Sequence, residues 1–369
     1  MPLPITINGR FLSRPATGVD RFALELLKAW LPRHGADRRA TLALPRAALA
    51  RDAVRARAEK LGLAIRSGVD GPLRGHLWEQ WRLPALCHDS VLLSLCNSGP
   101  VSYRRQIVVL HDAAVVAMPA SYSFAYRQWH RWLMTQLLRR AAVVATVSKF
   151  SAGELRRCFG VPMPQIEVIG EGGEHVLQEP ADPEIFDRLE LRGRRFVLAV
   201  GSSSPTKNLA ALLKVLPLLR ELGVCVVAAG GGNRRVFRAT GGAPPAGGLV
   251  RAGYVSNAEL RALYEAAECF VFPSLYEGFG LPPLEAMTCG CPVLVSRRAS
   301  MPEVCGDAAL YFDPDDSGEL AGQLRRVLTS RSLRQELGEA GRRRAALHSW
   351  SAAAAGFEEI FTRRTAGLV

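Results

Sequence analysis

Residues 269–296 restrict the fold more than any other part of the chain. Residues 269–275, Cys-Phe-Val-Phe-Pro-Ser-Leu, form a short apolar run followed at once by turn residues, which reads as a buried strand of a parallel sheet. Pro282 and Pro283 suit a first helical turn, Leu284 to Met287 continue it, and Gly290 can end it before the next apolar run, 292–296. Glu277 and Glu285 bracket the helix start, one in a loop at a strand end and the other on the first helical turn, so both face one crevice. Gly278 and Gly280 let the main chain approach a ligand closely, and amides at the helix start can meet phosphate, although the two prolines donate none. Open α/β sheets bind ligands at this end of their strands. On layout alone, an ordinary strand–turn–helix whose acids only cap and solvate fits equally well.

The same alternation recurs along the chain. Strands are expected at 5–7, 41–44, 91–95, 107–110, 143–147 and 166–169, then at 197–200, 225–229, 249–252, 269–275, 292–296 and 309–312, with helical stretches between them. Phe22, Ala23, Leu26, Leu27, Trp30 and Leu31 recur at helical spacing, so the helix after Gly18 buries one face, with Thr17 or Asp20 as its cap. At 369 residues the chain exceeds the usual size of one hydrophobic core. The expected division is a first α/β domain over 1–178, a charged, proline-rich linker over 179–195, a second α/β domain over 196–346, and a helix in 347–369 that returns to the first domain.

Charge and cysteines narrow the function. The net charge of +13 is concentrated in residues 1–175, which carry +11, leaving +2 for the remainder. Such a field attracts anionic partners: nucleic acid, lipid headgroups or a pyrophosphate-linked molecule. Nucleic acid is set aside because no helix-turn-helix, zinc-finger or RNA-binding signature accompanies the charge. The eight cysteines include no C-x-x-C pair, so no metal or disulfide framework is expected. No apolar run approaches the roughly 18 residues of a membrane-spanning helix, and the first residues do not resemble a secretory signal. A cytoplasmic protein is expected. Residues 122–140 make a basic, aromatic helix on which Tyr122, Tyr126, Trp129, Leu133 and Leu137 share a face, with Arg127, His130 and Arg131 elsewhere; it reads as core packing or as a segment lying on an anionic membrane.

Glu277 to Glu285 resembles the E-x7-E signature of the retaining glycosyltransferases of family 4, also called group 1. The run from Val197 to Leu209 is similar to the strand, loop and helix that open that family's donor domain. Gly253 to Tyr264 is similar to its nucleobase-side loop and helix, and Val108 to Asp112 to its amino-domain strand with a histidine. The resemblance implies the GT-B fold, two Rossmann-like domains with a cleft between them, and transfer of a hexose from a nucleotide sugar without a metal or other cofactor.

It also implies roles. Lys207 binds the donor diphosphate, helped by the amide of Leu281; Ser202 to Ser204 stand where the family often has an arginine. Glu277 sits beside the donor sugar, whose hydroxyls meet the main chain of Gly278, Phe279 and Gly280, while Glu285 binds the ribose. Tyr254 and Val255 flank the nucleobase, Ser274 contacts base or sugar, Gly18 faces the acceptor and the donor phosphate, and His111 lies on the sugar or acceptor side. Glu171-Gly-Gly-Glu174 departs from the Asn-Gly pair usual there. Thr17-Gly-Val-Asp-Arg-Phe22 and the His111-Asp112 pair point towards bacterial enzymes that use GDP-mannose to build surface polysaccharide. The acceptor is then a glycan, free or carried on a polyprenyl pyrophosphate. A sugar-nucleotide epimerase of the same fold and a catalytically silent glycan-binding protein are the alternatives; Gly230-Gly-Gly-Asn233 lacks the G-x-G-x-x-G spacing of a dinucleotide oxidoreductase.

Overall fold

The computed structural model describes residues 4–14, 17–33, 39–67, 73–88, 90–160, 166–202, 204–231 and 248–366. The chain forms two compact units, Met1–Glu171 with Trp350–Val369, and Gly172–Ser349.

The first unit holds a parallel sheet of β1 (Ile5–Asn8), β2 (Ala40–Leu44), β3 (Ala64–Ser67), β4 (Val91–Ser94), β5 (Gln106–Val109), β6 (Val143–Thr146) and β7 (Glu167–Val168), in the order β3-β2-β1-β4-β5-β6-β7. β3 was not expected. It is an edge strand whose four residues are all exposed, so it carries none of the apolar signal that marks a central strand. The Gly18–Trp30 helix buries Phe22, Ala23, Leu26, Leu27 and Trp30 completely. The Trp350–Thr365 helix packs on it: the Trp30 ring lies 4.9 Å from Phe357 and 5.5 Å from Phe361, and Trp30 Nε1 donates to Glu358 Oε2 at 2.6 Å. In the Phe124–Arg140 helix, Leu133 and Leu137 of the expected stripe are buried, whereas Tyr126 is exposed and His130, expected off the stripe, is buried.

The second unit holds β8 (Arg195–Val200), β9 (Val224–Ala229), β10 (Leu249–Gly253), β11 (Cys269–Phe272), β12 (Val293–Ser296) and β13 (Ala309–Phe312), parallel throughout in the order β10-β9-β8-β11-β12-β13. The stretch expected as a linker, 179–195, lies inside this unit. Its Glu184–Arg188 helix buries Ile185, and the nearby amide of Asp182 donates to the Ala258 carbonyl at 3.0 Å; the apolar residues among the charges and prolines anchor it. The unit boundaries fall at 171/172 and 349/350 rather than at 178/179 and 346/347. Gly230, at the end of β9, has φ +119°, and a Cβ there would stand 2.4 Å from the Gly201 carbonyl oxygen. That glycine therefore serves the close approach of two strand ends.

Both sheets turn back on themselves at a definite point. β1 lies between β2 and β4, and β8 between β9 and β11, so successive crossovers leave to opposite sides. Crevices open outside the carboxyl ends of strands at such switch points. In the second unit these ends carry the loops that hold Lys207 and Glu277.

Candidate active site

Lys207 ends a short 3-10 turn, Pro205–Lys207, beyond β8, and Glu277 lies in the loop beyond β11. Because those two strands are neighbours, residues 70 positions apart meet: Lys207 Nζ stands 2.6 Å from Glu277 Oε1, with 21% and 13% of the two side chains exposed. The ammonium also lies 5.3 Å from the centre of the Phe272 ring. The Ser274 hydroxyl is 2.5 Å from the same Glu277 oxygen and 2.9 Å from the Thr206 carbonyl, and its single proton can serve one of them at a time. The Leu275 amide donates to that carbonyl at 2.7 Å, which ties the two loops together.

The acidic loop is held firmly. Buried Ser300 places its hydroxyl 2.6 Å from the Phe279 carbonyl and 3.0 Å from that of Glu277. Gly280 has φ +112°, and a Cβ would stand 2.4 Å from Met301 Cε, so only glycine fits this turn into the Leu281–Thr288 helix. Of the first three residues of that helix, Leu281 alone carries an N–H to offer an anion.

Glu285, on the same helix, is buried. His175 Nε2 lies 2.7 Å from Glu285 Oε1, and the Tyr264 hydroxyl donates to Oε2 at 3.0 Å. A carboxylate only accepts, so the proton of the first bond sits on His175. Burial, and then the neighbouring carboxylate, push the Tyr264 hydroxyl well above its ordinary range, which keeps it a donor. Removing the His175 donor leaves a buried carboxylate oxygen short of a partner; His175→Ala is expected to cost about 3 kcal/mol of stability in denaturant titration, with His175→Gln recovering part of it.

Residues 181–344 match the family described as glycosyl transferases, group 1. O-antigen chain mannosyltransferase B of Escherichia coli is 31% identical over 260 residues, which cover 68% of this chain and 68% of that protein. The chain belongs to the group 1 glycosyl transferases. Two solved structures share the whole fold: sucrose-phosphate synthase from Thermosynechococcus elongatus, with TM-score 0.73 at 19% identity over 99% of this chain and 100% of that one, and Anabaena HepE in complex with UDP-glucose, with TM-score 0.75 at 16% identity over 98% and 100%. The architecture is therefore GT-B, and the protein is a glycosyltransferase.

This glycosyltransferase brings Lys207, Ser274, Glu277, Gly278, Phe279, Gly280 and Leu281 together on two adjoining loops and a helix start, with Glu285 one helical turn on. Tyr254 and Val255 lie beyond β10, separated from β8 by β9; Tyr254 is 76% exposed. Ser202 is exposed in the loop before Lys207. Gly18 and His111 belong to the first unit. Gly18 is exposed and a Cβ there would meet nothing within 4 Å, while Asp20 caps the helix by accepting from the Thr17 amide at 2.9 Å. His111 is buried, with Nε2 2.9 Å from the Leu95 carbonyl and Nδ1 3.8 Å from Glu171 Oε1. Among the described residues, no group of three or more His, Cys, Asp or Glu stands together in a way that would hold a metal.

Sequence reading missed the polar cluster at the switch point of the first sheet. Glu79 Oε1 accepts from Asn8 Nδ2 at 2.7 Å, Arg10 Nε at 3.1 Å and Ser98 Oγ at 2.9 Å, and Oε2 lies 3.2 Å from His76 Nδ1. Burial acts to raise this carboxyl, but the bonds from His76, Arg10 and Asn8 outweigh it and hold Glu79 below its ordinary range. Its only sequence signal was an acid within an otherwise neutral helical stretch, Gly75–Trp81.

Proposed function

We propose that this glycosyltransferase moves a hexose, mannose from GDP-mannose, onto a glycan or lipid-linked acceptor of bacterial surface polysaccharide, with retention at the anomeric carbon. The observation that carries the reading is the Lys207–Glu277 contact at the switch point of the second sheet, a cation and an anion where a diphosphate and the sugar it bears would meet. The mannosyl assignment draws on the E. coli relative, named as a mannosyltransferase. HepE, which binds UDP-glucose, supports a nucleotide-sugar donor of the same general kind.

Breaking the bond between sugar and phosphate leaves an oxocarbenium-like sugar and a nucleoside diphosphate. Lys207 and the Leu281 amide answer the charge on the diphosphate; the lysine supplies positive charge there without a metal. Glu277 faces the developing charge at the anomeric carbon, and the main chain of Gly278, Phe279 and Gly280 receives the sugar hydroxyls. Glu285, oriented by His175 and Tyr264, takes the ribose, and Tyr254, Val255 and Ser274 complete the donor subsite with Ser202. The acceptor oxygen attacks on the face the phosphate leaves, and the departing phosphate oxygen takes the acceptor's proton, so configuration is kept. His111 and Gly18 serve the acceptor side.

Thermal shift against GDP, UDP, dTDP and ADP tests the donor. GDP is expected to raise the melting temperature most; a ligand at 100 times its dissociation constant stabilises the folded state by about 2.7 kcal/mol. A larger shift with UDP would overturn the GDP assignment and leave the transfer reaction standing. An inverted anomer in the product, read by NMR, would overturn retention.

A further inference from the structure

The Ser274 hydroxyl stands between two acceptors that belong to different loops. It can donate to Glu277 Oε1 at 2.5 Å or to the Thr206 carbonyl at 2.9 Å. Ser274 is 1% exposed, and its own carbonyl accepts from the Ser296 hydroxyl at 2.5 Å, so its main chain is held as well. A hydroxyl that meets a ligand is open to water while the ligand is away; this one is closed. Its place is beneath the donor subsite, where it acts on the residues that do face the donor.

Each of its acceptors has a second donor. The Thr206 carbonyl also receives the Leu275 amide at 2.7 Å, and Glu277 Oε1 also receives the Lys207 ammonium at 2.6 Å. These second donors differ in permanence. The amide is main chain and stays where it is. The ammonium rides on a flexible side chain, 21% exposed, and is the group that a diphosphate would draw off. Once it leaves, Ser274 is, among the described residues, the donor that remains to Oε1. The Glu277 side chain is only 13% exposed, and a charged oxygen stripped of its partners there costs more than a neutral carbonyl that gives up one donor of two. The Ser274 proton therefore belongs on the carboxylate, to which the contact is also the shorter.

We propose that Ser274 is a positioning residue for Glu277, whose carboxylate it keeps partnered and in place while the donor diphosphate takes Lys207. The inference rests on the reading that Lys207 meets the diphosphate, and deepens it: the contact that binding opens on one side of Oε1 is backed by a buried donor on the other.

A double-mutant cycle tests it, read by calorimetric titration of the full chain with whichever of GDP and UDP binds more tightly and with its nucleoside. Ser274→Ala alone should weaken diphosphate binding roughly tenfold, the loss of one hydrogen bond to a charged group, and leave nucleoside binding unchanged. In the Lys207→Ala background no ammonium is drawn away, so the same substitution should change diphosphate affinity by less than about twofold. Ser274→Cys, close in shape and a weaker donor, should show the same dependence on Lys207 at a smaller loss, and it stands in should the alanine variant fail to fold. A tenfold loss in both backgrounds would mean that Ser274 touches the donor itself. No loss in either, or an equal loss for the nucleoside, would mean that it only packs. Each of these results overturns the proposal. Undiminished diphosphate binding by Lys207→Ala alone would overturn the reading of Lys207, and this inference with it.

Discussion

Glu277→Ala is expected to slow sugar transfer by about a hundred- to a thousandfold while leaving most of the donor affinity in place. The magnitude is that of removing one preorganised electrostatic group from a reacting centre. Preorganisation is visible in the acidic loop: Ser300 holds two of its carbonyls, Gly280 fixes the turn, and Lys207 and Ser274 both reach the carboxylate. Loss of stability should be small, about 1 kcal/mol or less, because Lys207 is part exposed and water can replace its partner. Glu277→Gln keeps the shape and removes the charge, so it separates electrostatics from packing and should be nearly as slow. Nucleoside diphosphate release, followed with and without acceptor, gives the rate. Turnover at the wild-type level in either variant would remove Glu277 from the chemistry.

Lys207→Ala is expected to weaken nucleoside diphosphate binding about 100-fold, equivalent to roughly 3 kcal/mol for a hydrogen bond between charged groups. On the proposed reading the diphosphate would draw the ammonium away from Glu277, or share it, so its affinity would contain the cost of opening a contact of 2.6 Å. Calorimetric titration of nucleoside, monophosphate and diphosphate distinguishes the causes. A lysine that meets the phosphates leaves nucleoside affinity unchanged and penalises the diphosphate most. An equal loss for all three ligands would mean that the loop had collapsed.

The alternation of apolar runs with helical stretches made most of both sheets legible. Strands such as β11 are apolar along their whole length because helices cover both faces, and a continuous apolar run is what such burial requires. β3 escaped because its four residues are exposed and so need no apolar run. The Glu184–Arg188 helix escaped because proline and charge obscured the few apolar residues that seat it, Ile185 above all. At the site, the positions of Lys207 and Glu277 beyond strand ends were readable, since each lies in the loop that follows an apolar run. Their contact was not, because neighbouring strands are set by the crossovers rather than by local pattern. The same holds for His175 and Glu285, 110 positions apart, and for Asn8, Arg10 and Glu79, none of which has a neighbour in sequence that announces its partner.

The Trp30 ring packs on Phe357 and Phe361, and its indole N–H donates to Glu358, all three on the Trp350–Thr365 helix. During synthesis, the amino-terminal sheet therefore leaves the ribosome with one helix uncovered, and stays so while the entire carboxyl-terminal unit is translated. The intervening unit, continuous in the chain, is free to fold first. Completion of the first unit thus waits for residues 350–365, and a chain cut short before residue 350 would expose the apolar ground beneath Trp30 to chaperones and proteases although most of its length had been made.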